Sequence, residues 1–195
     1  MLLAFDTATT LVSVALHDGN RVVAELSGDQ PMKHGEQLAP LIERALAQAG
    51  ARPQDLSAIG VGVGPGPFTG LRVGLVTART LGLALGVPVH GVCTLDVLAV
   101  EVVQTGTAGG EPFLVATDAR RKEVYWARYD AAGTRLGDPT VSRPDEVASA
   151  LSVAGAGPGI YPEFFPHRIG PHSPSAGWLA HAVAGELVEL LDPEP

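Results

Sequence analysis

Apolar and polar positions along the chain change period several times, and each change marks an element. Leu2 to Phe5 is a short apolar run ending at Asp6, followed by a polar turn from Thr7 to Thr10. Val12 to Leu16 reads as a strand, Asp18-Gly19 as a hairpin turn and Arg21 to Leu26 as the returning strand. From His34 to Ala49 the period lengthens to that of a helix. Leu38, Leu41, Ile42, Ala45, Leu46 and Ala49 fall on one stripe, while Glu36, Glu43, Arg44 and Gln48 lie off it. Gly50 and Pro53 supply the stop. Ala58 to Val63 then reads as a buried strand, Gly64 to Phe68 as a glycine-rich loop, and a helix runs from near Thr69 to Leu85, closed by Gly86. Val87 to Val92 and Leu95 to Val103 add one more strand and helix. Alternation of this kind implies parallel pairing with right-handed crossovers.

Gln104 to Pro112, rich in Gly and Thr, is the expected boundary between two lobes, 1–106 and 107–195. Beyond it LLAFDTATTLVSVALHDG finds a counterpart in FLVATDARRKEVYWARYDAAG. Each is an apolar strand ending at Asp, a polar turn, an alternating strand and a second turn with Asp and Gly. The pattern predicts an internal duplication that places Asp6 and Asp118 at equivalent points, with a reduced second lobe. After the second hairpin the signal thins. Asp145 to Leu151 and Ser175 to Leu191 read as helices, Ala154 to Gly159 as a glycine run, and Tyr161 to Pro174 as a loop. Paired lobes that each open this way fit the α/β fold of the actin, sugar-kinase and heat-shock ATPase superfamily, a duplicated βββαβαβα unit. Asp6, Thr7 and Asp118 are then candidates for holding nucleotide phosphates and magnesium. Asp6 capping its own turn is the other reading of the same residue.

The helix near Thr69 has two unlike sides. Gly70, Gly74, Ala78, Gly82 and Gly86 recur every four residues and allow close packing. Arg72, Val76, Arg79 and Leu83 occupy the opposite side, which is apolar apart from two guanidinium groups. A helix with so little polar surface is expected to be covered twice, once by its own sheet and once by a partner.

Charge and chemistry narrow the field. Thirteen Lys and Arg against 21 Asp and Glu give a net charge of −8 in a 195-residue chain. Such a surface repels nucleic acid, and Arg120, Arg121 and Lys122 form the one basic cluster in the sequence. The histidines show none of the metal-binding spacings, and no GxSxG is present. The glycine loop lacks the Lys-Ser/Thr of a P-loop, and Pro65 and Pro67 remove two N–H donors from it. A single cysteine, Cys93, and an N-terminus without a signal-peptide pattern make a cytoplasmic location the expectation. The apolar stretch from Leu71 to Val89 is broken by Arg72 and Arg79, so no membrane span is expected.

FDTATTLVSVAL, HGEQLAPLIERAL and IGVGVGPGPFTGLRVGLVTARTLGLALGVPVHGVCTLDVLA together resemble the bacterial tRNA threonylcarbamoyladenosine biosynthesis proteins of the TsaB (YeaZ) family. TDARRKEVYWARYD and AGAGPGIY are similar to it as well. The resemblance implies a two-lobed actin-like fold without an enzymatic site. The catalytic relative, TsaD, has a metal-binding histidine pair on the helix matching His34 to Ala49, where this chain has only His34. The role implied by the resemblance is that of a non-catalytic partner of the TsaD-type enzyme that adds threonylcarbamoyl to the adenosine beside the tRNA anticodon. It also implies a TsaE-like ATPase as a further partner, a homodimer in isolation, and tRNA reached only indirectly. ATP or ADP with magnesium would then belong to the partner complex alone. The shared surface implied is that of the first two helices, with His34, Leu38, Leu41, Ile42 and Ala45 on one and Arg72, Val76, Arg79 and Leu83 on the other. Two alternatives stand beside it: an ATP-binding phosphotransferase or ATPase using Asp6 and Asp118, and a glycoprotease-like metallopeptidase, against which the missing histidine argues. The family's chains usually run past Pro195 into a short strand rich in Arg and Tyr, so the role of that end is open.

Overall fold

The computed structural model describes residues 1–28 and 33–193. Its first sheet contains β1 (Leu2–Asp6), β2 (Ser13–His17), β3 (Val22–Ser27), β4 (Ala58–Gly62) and β5 (Val89–Val92), in the order β3-β2-β1-β4-β5. β1 runs antiparallel to β2 and parallel to β4. Helices α1 (His34–Gln48) and α2 (Phe68–Leu85) cover one face, and α3 (Thr94–Thr105) leads to the second lobe. That lobe holds β6 (Phe113–Arg120), β7 (Glu123–Tyr129), β8 (Thr140–Ser142) and β9 (Ser152–Ala154) in the order β8-β7-β6-β9. Two one-turn helices, α4 (Pro144–Val147) and α5 (Gly157–Ile160), complete it, and a final helix α6 (Ala176–Ala184) packs back on the first sheet. The second sheet repeats the first less one strand, with β6 antiparallel to β7 and parallel to β9. This is the duplicated two-lobed α/β architecture of the actin-like fold, the second lobe reduced.

Double coverage explains why Leu2 to Phe5 is an unbroken apolar run. Leu3 and Phe5 join Leu38, Leu41, Ile42 and Ala45 in the core under α1 and α2. Leu2 and Ala4 point the other way, to Leu179, Ala180 and Val183 of α6. A strand buried on both faces cannot alternate. The second sheet behaves alike: Phe113 and Val115 face Leu95, Leu98 and Val102 of α3, while Leu114 and Ala116 face Val147 and Phe165. Each fully buried Leu, Ile or Phe here contributes on the order of 1.5–3 kcal/mol.

Two elements differ from their sequence reading. The helix expected over Asp145 to Leu151 is a single turn, Pro144–Val147, because Ala148 leaves helical geometry and Leu151 turns toward the short strand β9. The helix expected from Ser175 to Leu191 ends at Ala184. Glu186 takes a φ of 49° and Leu187 N–H bonds Ala182 C=O at 3.0 Å, a Schellman ending. The released segment runs back along β5, where Leu191 and Gly91 exchange two backbone hydrogen bonds of 2.8 Å each. The chain therefore returns to the first lobe at its end, with α6 on the first sheet. None of the described helices is long and apolar enough to cross a membrane.

Candidate functional site

Asp6 ends β1 and is 1% exposed. Its Oδ1 accepts the Ala8 N–H at 2.6 Å and its Oδ2 accepts the Thr94 hydroxyl at 2.8 Å. Gly62 lies so close that any Cβ there would fall on the Asp6 carboxylate. Burial raises the Asp6 pKa, opposed by the two hydrogen bonds and by the His34 charge. Thr7 is equally engaged: its hydroxyl donates to Gly70 C=O at 2.8 Å and accepts the Gly74 N–H at 3.1 Å. These contacts seat α2 on the first strand, and both oxygens of Asp6 serve the loop and α3.

Asp118 lies two residues before the end of the equivalent strand, β6, at an irregularity in its pairing, and repeats the local geometry, accepting the Arg120 N–H at 2.8 Å as Asp6 accepts that of Ala8. It is half-buried and pairs with the Arg120 guanidinium at 3.3 Å. Thr9, Pro67, Asp118, Arg120 and His172 wall the cleft between Asp118 and the glycine loop, which encloses only about 40 Å³. Small-molecule sites run to about 300–1,000 Å³. Among the described residues no three of His, Cys, Asp and Glu are grouped to hold a metal ion. Cys93 is buried, and burial pushes its thiol up to about 11.

Helices α1 and α2 carry the nine interface candidates between them. Leu38, Leu41, Ile42 and Ala45 turn into the core beneath α1, at 1%, 3%, 8% and 0% exposure, so they present nothing to a partner in this arrangement. His34 is buried, its Nε2 2.7 Å from Thr9 C=O. α2 is different. Its small residues meet the chain's own sheet, where a Cβ on Gly70 would lie 2.7 Å from Thr7 C=O. Its other side is open, with Phe68 71%, Val76 48% and Leu83 88% exposed. Arg72 and Arg79 are exposed between them. The Arg72 guanidinium lies 5.1 Å from the Phe68 ring centroid, a cation–π arrangement. Arg79 reaches Pro193 C=O at 3.4 Å.

Sequence reasoning misses three participants. Phe68 reads as the end of a loop, yet it opens α2 and is its most prominent exposed aromatic. Thr94 gives no signal because its partners, Asp6 and Gly64, lie 88 and 30 residues away. Asp96 is the third: it accepts the Tyr129 hydroxyl at 2.7 Å and pairs with Arg135 at 2.8 Å, fixing α3 to the second sheet. Burial raises its pKa against both partners.

A family model described as TsaD, tRNA N6-adenosine threonylcarbamoyltransferase, matches residues 27–168, more than half of the chain. The solved structure of YeaZ from Pseudomonas aeruginosa superposes with a TM-score of 0.76 at 35% identity, covering 95% of this chain and 90% of that one. The chain belongs to the TsaB (YeaZ) family. The Escherichia coli protein named tRNA threonylcarbamoyladenosine biosynthesis protein TsaB is 37% identical over 150 residues, 75% of this chain and 64% of its own length. An uncharacterized Mycobacterium leprae protein is 47% identical over 162 residues, 80% of this chain but only 43% of that protein's own length. Within the TsaB family frame, the GPGPFTGLR segment is the connection that carries β4 into α2, and α2 bears the exposed face.

Proposed function

We propose that this chain is an accessory, non-catalytic subunit of tRNA threonylcarbamoyladenosine biosynthesis that docks on a TsaD-like catalytic subunit through the outward face of α2. The observation that carries it is the exposure of Phe68, Val76 and Leu83 on one helix whose small residues are already committed to its own sheet. An apolar stripe bearing two guanidinium groups suits a partner helix with apolar and acidic positions. In isolation the same face pairs with a second copy of the chain. A TsaE-like ATPase joins the complex, ATP or ADP with magnesium binds only there, and the partner holds the tRNA, in keeping with a charge of −8. The working compartment is the cytoplasm.

The competing reading is a phosphotransferase or ATPase built on Asp6 and Asp118. It is disfavoured by the two hydrogen bonds that Asp6 already accepts and by the roughly 40 Å³ of space beside Asp118. Co-purification with a TsaD-like protein tests the first reading. Calorimetry of the isolated chain with ATP and magnesium tests the second, where tight binding lost in Asp6→Ala would displace the subunit assignment.

A further inference from the structure

A second concavity of about 520 Å³ opens on the other side of the first sheet, between the β2–β3 hairpin and α6. Its volume falls in the range of small-molecule sites. His17 lies in its wall and is 3% exposed. Its Nδ1 accepts the Gly19 N–H at 3.0 Å, so in the neutral ring the proton sits on Nε2. Nε2 has no hydrogen-bond partner among the described residues and is not a fully buried atom, so its N–H is open to the groove that His17 lines. An imidazole N–H left to solvent at the groove wall can be taken up by a ligand acceptor.

The other walls define what fits. Trp178 is flanked by an edge-on His181 ring, the ring centroids 5.6 Å apart. Asn20 and Gln104 supply amides able to donate and accept. Glu25 is occupied by the Ser175 hydroxyl at 2.7 Å and the Gly177 N–H at 3.2 Å, so it is not an empty cation site. Arg21 is the one permanent cation in the wall, too little for a polyphosphate. A preset aromatic ring, paired amides and an unspent imidazole N–H call for an uncharged, flat molecule with ring nitrogens or carbonyl oxygens.

We propose that this groove binds a nucleoside or closely similar planar heterocycle, with His17 Nε2 donating to a base acceptor and Trp178 packing against the base. Burial holds the His17 pKa below its ordinary value, with the His181 charge adding to the effect and Asp18 opposing it. Protonation would also set an N–H against the Gly19 N–H. The donor is therefore a neutral imidazole. The site is separate from α2 and stands or falls independently of partner docking.

Side-chain NMR of the full chain, following the His17 and Trp178 signals, tests this with adenosine, uridine, AMP and ribose 5-phosphate as probes. Saturable shifts are expected with at least one nucleoside, at a dissociation constant below about 1 mM. His17→Phe should weaken binding by about tenfold, as loss of one hydrogen bond does. His17→Gln, which keeps a donor, should restore part of it. Trp178→Leu provides a second variant should the strand not tolerate His17→Phe, and should weaken binding comparably. Absence of saturable shifts with either nucleoside at about 10 mM, or unchanged affinity in these variants, overturns the proposal. Equal affinity for ribose 5-phosphate and AMP overturns it too, because the groove would then read phosphate and not a base.

Discussion

Thr94 donates its hydroxyl to Asp6 Oδ2 across 2.8 Å and, through the same oxygen, accepts the Gly64 N–H at 3.2 Å. One side chain on α3 thus ties the tip of β1 to the glycine loop. Thr94→Val keeps the shape and removes both bonds. A loss of about 1–3 kcal/mol is expected, the cost of leaving a buried carboxylate and an amide short of a partner. Denaturant unfolding measures it, and an unchanged midpoint with an unchanged slope would show that the network is dispensable.

The raised pKa of Asp6 has a pH consequence of definite sign. Folding holds this proton more tightly than the unfolded chain does, so Asp6 lowers stability progressively as pH rises from about 4 through its folded pKa. In Asp6→Asn that component is gone. The stability of the wild type relative to Asp6→Asn should therefore improve as pH falls toward about 4. Parallel unfolding curves across that range would mean that Asp6 carries no net desolvation.

Gly74 sits where a Cβ would collide with the Thr7 hydroxyl. Gly74→Ala should cost about 1–3 kcal/mol despite the better helix propensity of Ala, because α2 must move off β1. Thr7→Ala in the same chain removes the obstacle, so the double variant should be more stable than the sum of the single losses predicts. Additive losses in thermal or denaturant melts would contradict the packing.

Arg135→Met strips the Asp96 carboxylate of its cation and leaves it with the Tyr129 hydroxyl alone. Breaking such a pair from one side is costly, at about 3 kcal/mol for a fully buried case and less for Arg135, which is partly exposed. Tyr129→Phe, which removes one neutral donor, should cost roughly 1 kcal/mol to a carboxylate that keeps its guanidinium. Chemical denaturation of the two variants gives the order, and the reverse order would show that Tyr129 is the main support of Asp96.

Much of the fold is readable from the residues. The duplication is visible because strand, Asp, turn and hairpin recur in fixed order, and the two sheets repeat one pairing scheme. The apolar stripe of α1 is visible too, but a stripe does not say what it meets. Leu38 and Ile42 meet the chain's own sheet, while Val76 and Leu83 stand exposed. Four-residue glycine spacing on α2 carries the information that separates the cases, since a backbone that must approach β1 leaves its large residues on the far side. The tail from Leu187 to Leu191 reads as helix because helix propensity is local, whereas the Schellman turn at Glu186 is stabilised by where the chain goes next. Thr94 and Asp96 are invisible in the sequence because their partners are distant along it.

The functional reading turns on α2 as a docking face. Val76→Glu combined with Leu83→Glu places two charges on that face without touching the core, since both residues are largely exposed. The decisive measurement is co-purification of this double variant with a TsaD-like catalytic subunit, alongside sedimentation of the variant alone. Capture of the catalytic subunit and self-association should both be lost while the melting temperature stays within a few degrees of the wild type. A complex that forms undiminished with the folded double variant would rule out α2 as the docking face.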